Sequence, residues 1–250
     1  MSTLVNRLRR ASSEEGVTLV ELIVTVSILS VVLGFVTQGF VSLQNAAAGA
    51  SLRLQNLDEA RILMGDVSKD VRTAARLSST TSPFDVTTAP SGYGFGNAPP
   101  YASGTEVWFY SNLTLSATNP SPCPDIVHLF VDTVANPPVL KEQIVAADAG
   151  GTPPSCTYTG SYSTRLVGKY VANPSSLPVF TYYYDDATGN PVAFTTGQTP
   201  LSAANRLLVN AIGITLAIRA STNYTVPYTT LINRVRLPNV DYNPLPSPSP

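Results

Sequence analysis

The chain has 250 residues, 15 Lys+Arg against 16 Asp+Glu, and a formal net charge of −1. Only 12% of its residues are charged while 44% are hydrophobic, about half the charge of an ordinary soluble domain, and so even a balance gives no electrostatic footprint for nucleic acid. All 21 prolines lie from Pro83 onward and all 12 tyrosines from Tyr93 onward. The first 82 residues therefore contain nothing that breaks a helix, whereas the remainder is too rich in proline to be mainly helical. That distribution excludes an α/β enzyme with helices throughout.

Residues 22–52 carry no charged side chain. As a helix they would cover ~46 Å, more than the ~30 Å hydrocarbon core of a bilayer. The most apolar part runs from Leu22 to Val36, and Arg7, Arg9 and Arg10 precede it. Such a basic flank predicts insertion with the N-terminus inside and the bulk of the chain outside. Three readings fit this segment: a removable secretory signal ending near Ala46–Ala50, a plain signal anchor, or a helix that leaves the membrane to become a filament core. Glu21, just inside the apolar run, discriminates among them. A carboxylate at membrane depth is costly unless paired, and neither a secretory signal nor a plain anchor has a use for one.

The string Gly16-Val17-Thr18-Leu19-Val20-Glu21-Leu22, followed by the apolar run, resembles the N-terminal signal of type IV pilins and type II secretion pseudopilins. The resemblance implies that a prepilin peptidase cuts between Gly16 and Val17 and N-methylates Val17, where the family usually has Phe. It also implies that Glu21 pairs with a terminal amine during assembly. Where many major pilins place a proline in the mature helix, this chain has Gln38 flanked by Gly34 and Gly39. The bland alternative for Glu21 is a carboxylate that favours the helix dipole at its start.

Beyond the apolar run, Leu57, Ala60, Met64, Val67, Val71 and Ala74 recur at steps of three and four among mixed charges, from Arg53 to Arg76. This stripe predicts an amphipathic continuation of the helix lying against a sheet and ending near Leu77. The mixture of signs argues against a lipid-surface helix. From Pro83 onward the signals are strands and turns, with candidates at 106–110, 126–131, 139–145, 165–171, 179–184, 207–218 and 231–237. In Ile212-Gly213-Ile214-Thr215-Leu216-Ala217-Ile218, large aliphatics alternate with small residues, as on a strand with one face packed on a helix. The expected fold class is α+β: a long N-terminal helix, transmembrane then amphipathic, packed on an antiparallel β-sheet head in the pilin manner.

Segments 179–186 and 234–239, with the long strand between them, also resemble pseudopilin J and minor pilin W. That likeness implies a position at or near a filament tip and a part in priming assembly. The expected organisation is a leader at 1–16, a membrane and filament-core helix at 17–50, its amphipathic continuation at 51–82, a β-rich head at 83–242 and a Pro/Ser-rich tail at 243–250.

Cys123 and Cys156 are the two cysteines, both expected outside the cytoplasm, where an even pair reads as a disulfide. Closing that loop contributes ~3–4 kcal/mol in the chain-entropy account. The catalytic inventory is poor. The one histidine, His128, alternates opposite Val127, Leu129 and Val131, which predicts a sheet-surface residue rather than a base. No nucleophile motif, zinc set or phosphate loop accompanies it, so neither catalysis nor a cofactor nor a metal is expected. Asp185-Asp186-Ala187-Thr188-Gly189-Asn190 reads as a hairpin turn rather than a calcium loop, because the distal bidentate glutamate is absent.

The function read from the sequence is a structural subunit of a type IV pilus-like or type II secretion filament, of minor pilin or pseudopilin type. Its expected partners are prepilin peptidase, other pilin subunits and an inner-membrane assembly platform, with no nucleic acid. A pilus-associated or anchored adhesin, its Tyr-rich head binding a ligand through loop residues 85–104, is the alternative.

Overall fold

A computed structural model of the chain describes residues 17–78, 81–86, 102–113, 123–195, 198–219 and 227–238. Among these, helix α1 covers Leu19–Arg72, and the chain divides into two compact units, 1–50 and 51–250. In the first unit α1 is unbroken through Gly34, Gln38 and Gly39. Its hydroxyl side chains are turned back onto the helix: Thr25 Oγ1 donates to Leu22 O (2.9 Å), Ser27 Oγ to Ile23 O (2.8 Å), Ser30 Oγ to Val26 O (2.7 Å) and Thr37 Oγ1 to Leu33 O (2.7 Å). Each polar group is thus satisfied within the helix and demands nothing of an apolar surrounding.

In the second unit, the part of α1 from Ser51 onward packs against two four-stranded antiparallel sheets. The first contains β1 (Glu106–Ser111), β2 (Asp125–Asp132), β3 (Val139–Val145) and β4 (Ser163–Lys169) in the order β1-β2-β3-β4. The second contains β5 (Phe180–Asp185), β6 (Pro191–Ala193), β7 (Ala211–Ile218) and β8 (Thr229–Arg236) in the order β6-β5-β7-β8. Ala60, Leu63, Met64, Val67 and Val71 of α1 share one core with Phe109, Val127, Leu129 and Leu140 of the first sheet and Ile212, Ile214, Leu216 and Val235 of the second. The period-3.6 stripe of the helix and the period-2 faces of the strands thus close on a common interior.

The pattern in β7 has a direct structural reading. Ile212, Ile214, Leu216 and Ile218 enter the core. On the opposite face a Cβ at Gly213 would lie 2.8 Å from Cε2 of Tyr183, so the small residue leaves room for that ring. A second cluster forms between Trp108, Tyr110, Ile126 and Val145 of the first sheet and Cys123, Ala147, Cys156 and Tyr158. β1 and the first half of β2 are therefore buried on both faces.

Four expectations need correction. Two sheets share a core with the helix rather than one. The helix stops at Arg72, short of Leu77: Thr73 Oγ1 bonds Asp70 O at 2.6 Å, Ala74 bridges to Ser111, and Ala75 N donates to Tyr110 O at 2.8 Å. Pairing with β1 takes the backbone before any local stop signal. The expected strand at 207–218 begins only at Ala211, because Ser202 caps a short helix, α2 (Ala203–Leu208), accepting from Asn205 N. Finally, β6 is an added strand, the return arm of the hairpin after β5.

That hairpin turn is as expected. Asp186 Oδ1 accepts from Thr188 N, Thr188 Oγ1 and Asn190 N at 2.7–2.9 Å, and Gly189 takes φ +81°, a conformation open to glycine. The Thr188 hydrogen bond leads the contacts that hold Asp186 below the usual carboxylate range. The turn's own donors satisfy this carboxylate.

Gly168 on β4 lies directly against α1, where an added Cβ would overlap Leu63 Cδ1, Cδ2 and Cγ. Leu63 is 1% exposed and has little room to yield. Gly168→Ala is expected to lower the stability of the full chain in detergent micelles by ~1–3 kcal/mol, read from the denaturant midpoint of tertiary fluorescence. An unchanged midpoint would show that the helix is not held at this distance.

Candidate functional site: the N-terminal helix

The residues singled out by sequence gather at the start of α1. Gly16 lies outside the described residues. Val17 is exposed and precedes the helix, and Thr18 is its cap: Glu21 N donates to Thr18 Oγ1 at 3.3 Å and Leu22 N to Thr18 O at 3.1 Å. Thr18-x-x-Glu21 has the spacing of a capping box, a signal present in the sequence whose role for Thr18 the sequence reading missed. Glu21 sits in the first turn, where the exposed amides and helix dipole favour negative charge. Val17 and Glu21 are four residues apart, the spacing that brings side chains to one helix face.

From Leu19 to Leu43 the large apolar side chains are exposed all round: Leu19 by 75%, Ile28 by 59%, Phe35 by 72% and Leu43 by 68%. None of its most apolar stretch is buried in the protein. By length and composition it is able to cross a membrane. Exposure on every side suits a span surrounded by lipid or by other apolar helices, whereas a core helix of a globular domain would be buried by its own chain.

His128 lies on the expected face, opposite Val127 and Leu129, but not at the surface: it is 1% exposed. Its ring stacks on Trp108 (3.9 Å between centroids) and Phe130 (4.5 Å), Nε2 is 3.0 Å from Glu106 Oε2, and Nδ1 is 3.2 Å from Gln143 Oε1. The second core cluster covers this face, which alternation alone does not reveal. Both ring nitrogens are engaged in cross-strand contacts, a packing role. Among the described residues no group of three or more His, Cys, Asp or Glu has metal-holding geometry.

Cys123 and Cys156 form a disulfide that joins the segment before β2 to the segment after β3. Nearby, Tyr158 is buried, its hydroxyl donating to Pro124 O at 2.8 Å, and burial first among its causes pushes its phenol up from the ordinary value. Asp148 Oδ1 accepts from Thr159 N and Oγ1 at 3.1 and 3.0 Å. These contacts pin the covering segment over Trp108 and Tyr110.

A capped, unbroken, wholly exposed apolar helix joined in sequence to an antiparallel β-rich unit defines the class: an α+β protein of pilin-like architecture. A family model described as the prokaryotic N-terminal methylation motif matches residues 11–37, the stretch containing Gly16, Val17 and Glu21. This match supports a type IV pilin-like family, implies processing by a prepilin peptidase and assembly with other pilins, and points to a structural role. No curated protein matches the chain.

Replacing both Cys123 and Cys156 by Ser is expected to lower stability by ~3–4 kcal/mol, and adding reductant to the unaltered chain should give the same loss in a thermal melt. A melt indifferent to reductant would show that the covering segment holds without the bond.

Proposed function

We propose that the chain is a minor pilin or pseudopilin, a low-copy structural subunit of a type IV pilus-like or type II secretion filament that primes assembly or sits near its tip. The observation that carries the reading is the N-terminal methylation motif at 11–37 on a capped helix whose apolar surface is exposed on all sides. Prepilin peptidase removes residues 1–16, methylates Val17 and leaves an α-ammonium one turn before Glu21. Before assembly the subunit spans the inner membrane with its N-terminus inside and residues 83–242 outside. Afterwards, residues 17–50 exchange lipid for the helices of neighbouring subunits.

The physics of Glu21 gives it a specific part. The helix start attracts a carboxylate and repels an ammonium, and Glu21 neutralises a terminal amine there, its own or that of the neighbouring subunit in the filament. In low dielectric such a pair is strongly attractive, but either partner alone is strongly penalised. The pair therefore sets register during recruitment rather than adding stability. An assembly platform in the inner membrane delivers the subunit. The likeness of 179–186 and 234–239 to pseudopilin J and minor pilin W supports the tip position.

Mass spectrometry of the mature protein should find an N-terminus at methyl-Val17. Gly16 replaced by a bulky residue should leave full-length precursor in the membrane. Glu21→Ala should be processed yet fall at least tenfold in filament incorporation. A mature chain beginning elsewhere, or normal incorporation of Glu21→Ala, would sink the proposal.

A further inference from the structure

The last turns of α1 meet the first sheet through a charged cluster that no assembly role explains. Arg165 on β4 reaches three carboxylates: Nε donates to Glu142 Oε2 of β3 at 2.7 Å, Nη2 to Asp70 Oδ2 of α1 at 3.2 Å, and Nη1 lies 3.6 Å from Asp66 Oδ2. Glu142 is 1% exposed. Its second oxygen, Oε1, is buried with no hydrogen-bond partner among the described groups. One half-exposed cation thus faces three acidic groups, two of them nearly or wholly out of water. Among the described residues, Lys141, beside Glu142, is engaged 2.6 Å from Asp132 Oδ2, and the contact from β8 is the neutral bond between Asn233 Nδ2 and Ser68 Oγ.

We propose that Asp70, Glu142 and Arg165 form a proton-operated latch that fastens the C-terminal turns of α1 to the first sheet. Two buried carboxylates cannot hydrogen-bond each other when both are ionised, and a single guanidinium does not neutralise the pair. With one proton held between them, Asp70 becomes a donor, Glu142 remains the acceptor of Arg165, and the net charge falls by one. When that proton passes to water, the two carboxylates repel across the joint between α1 and β3. The joint is the same one that Leu63 and Gly168 close by direct packing, so repulsion there is felt along the helix face from Ala60 to Val71. The latch stands on this geometry and not on the filament assignment.

Burial, then the neighbouring Glu142, lifts Asp70 from 3.8 to about 7, with Arg165 opposing in part. The folded chain therefore keeps a proton that the undocked chain has already lost. Stability from the latch is full at the acid end of this window and declines as pH rises, levelling off once the folded state also loses the proton.

Hydrogen exchange of the full chain in detergent micelles reads this directly, after correction for the intrinsic pH dependence of amide exchange. The opening constant for amides between Ala60 and Val71 is expected to rise about tenfold per pH unit from about pH 5 to about pH 7 and then flatten, the mark of one linked proton. Asp70→Asn and Glu142→Gln should each remove most of that slope, whereas Asp66→Asn should keep it. An infrared titration of the unaltered chain needs no variant: a protonated-carboxyl band lost near neutral pH supports the latch. A flat wild-type profile, a slope that survives in folded Asp70→Asn, or a carboxyl band gone by about pH 5 would each overturn it.

Discussion

The burial of one face of α1, from Ala60 to Val71, in a core shared with two antiparallel sheets is the interaction on which the rest of the second unit depends. Neither sheet is self-sufficient: each has four strands and an apolar face, and the helix supplies the surface that both faces need. Leu63 and Val67 are buried completely or nearly so, and core residues of that size stabilise by a few kcal/mol each. Gly168 sets the distance from helix to first sheet. The Asn233–Ser68 hydrogen bond ties the second sheet to the same helix.

One continuous helix thus has two different solvents. Up to Ala50 its large apolar side chains are exposed, and several of its Ser and Thr hydroxyls are folded back on backbone carbonyls. From Ser51 onward it is amphipathic and half-buried. An element of the first kind is stable only where something apolar surrounds it, because exposed hydrocarbon on this scale is penalised in water. Thr18 caps its start, and Glu21 follows in the first turn.

The charged cluster at the far end of the same helix obeys the opposite logic. Glu21 is an acid in the first turn of the helix, where the dipole favours it, while Asp70 and Glu142 are acids brought to one arginine by the packing of the head. A lone arginine among three carboxylates leaves an excess negative charge at a packed joint, which makes the joint sensitive to protons. Elsewhere the carboxylates of Asp132, Asp148 and Asp186 are held below their ordinary range by donors, Lys141 for the first, Thr159 for the second and Thr188 for the third. Asp70 stands apart in being pushed up.

The sequence by itself determined what depends on local pattern. The absence of proline before Pro83 and the charge-free stretch 22–52 define a long helix, strand alternation marks most of the strands, and Asp186 with Gly189 specifies its turn through the chain's own donors. The α+β class follows from these, because they are nearest-neighbour properties with periods of 3.6 and 2. Only the tertiary structure decided where the helix stops, since Ala74 and Ala75 are claimed by β1 rather than by a local signal. It also decided that two sheets share the helix's core, that residues 203–208 turn into a short helix, and that His128 is buried beneath a covering segment. The joining of Asp70, Glu142 and Arg165 is of the same kind. These residues are far apart in the chain, and no periodicity relates them; their proximity is fixed by how a helix and two strands pack.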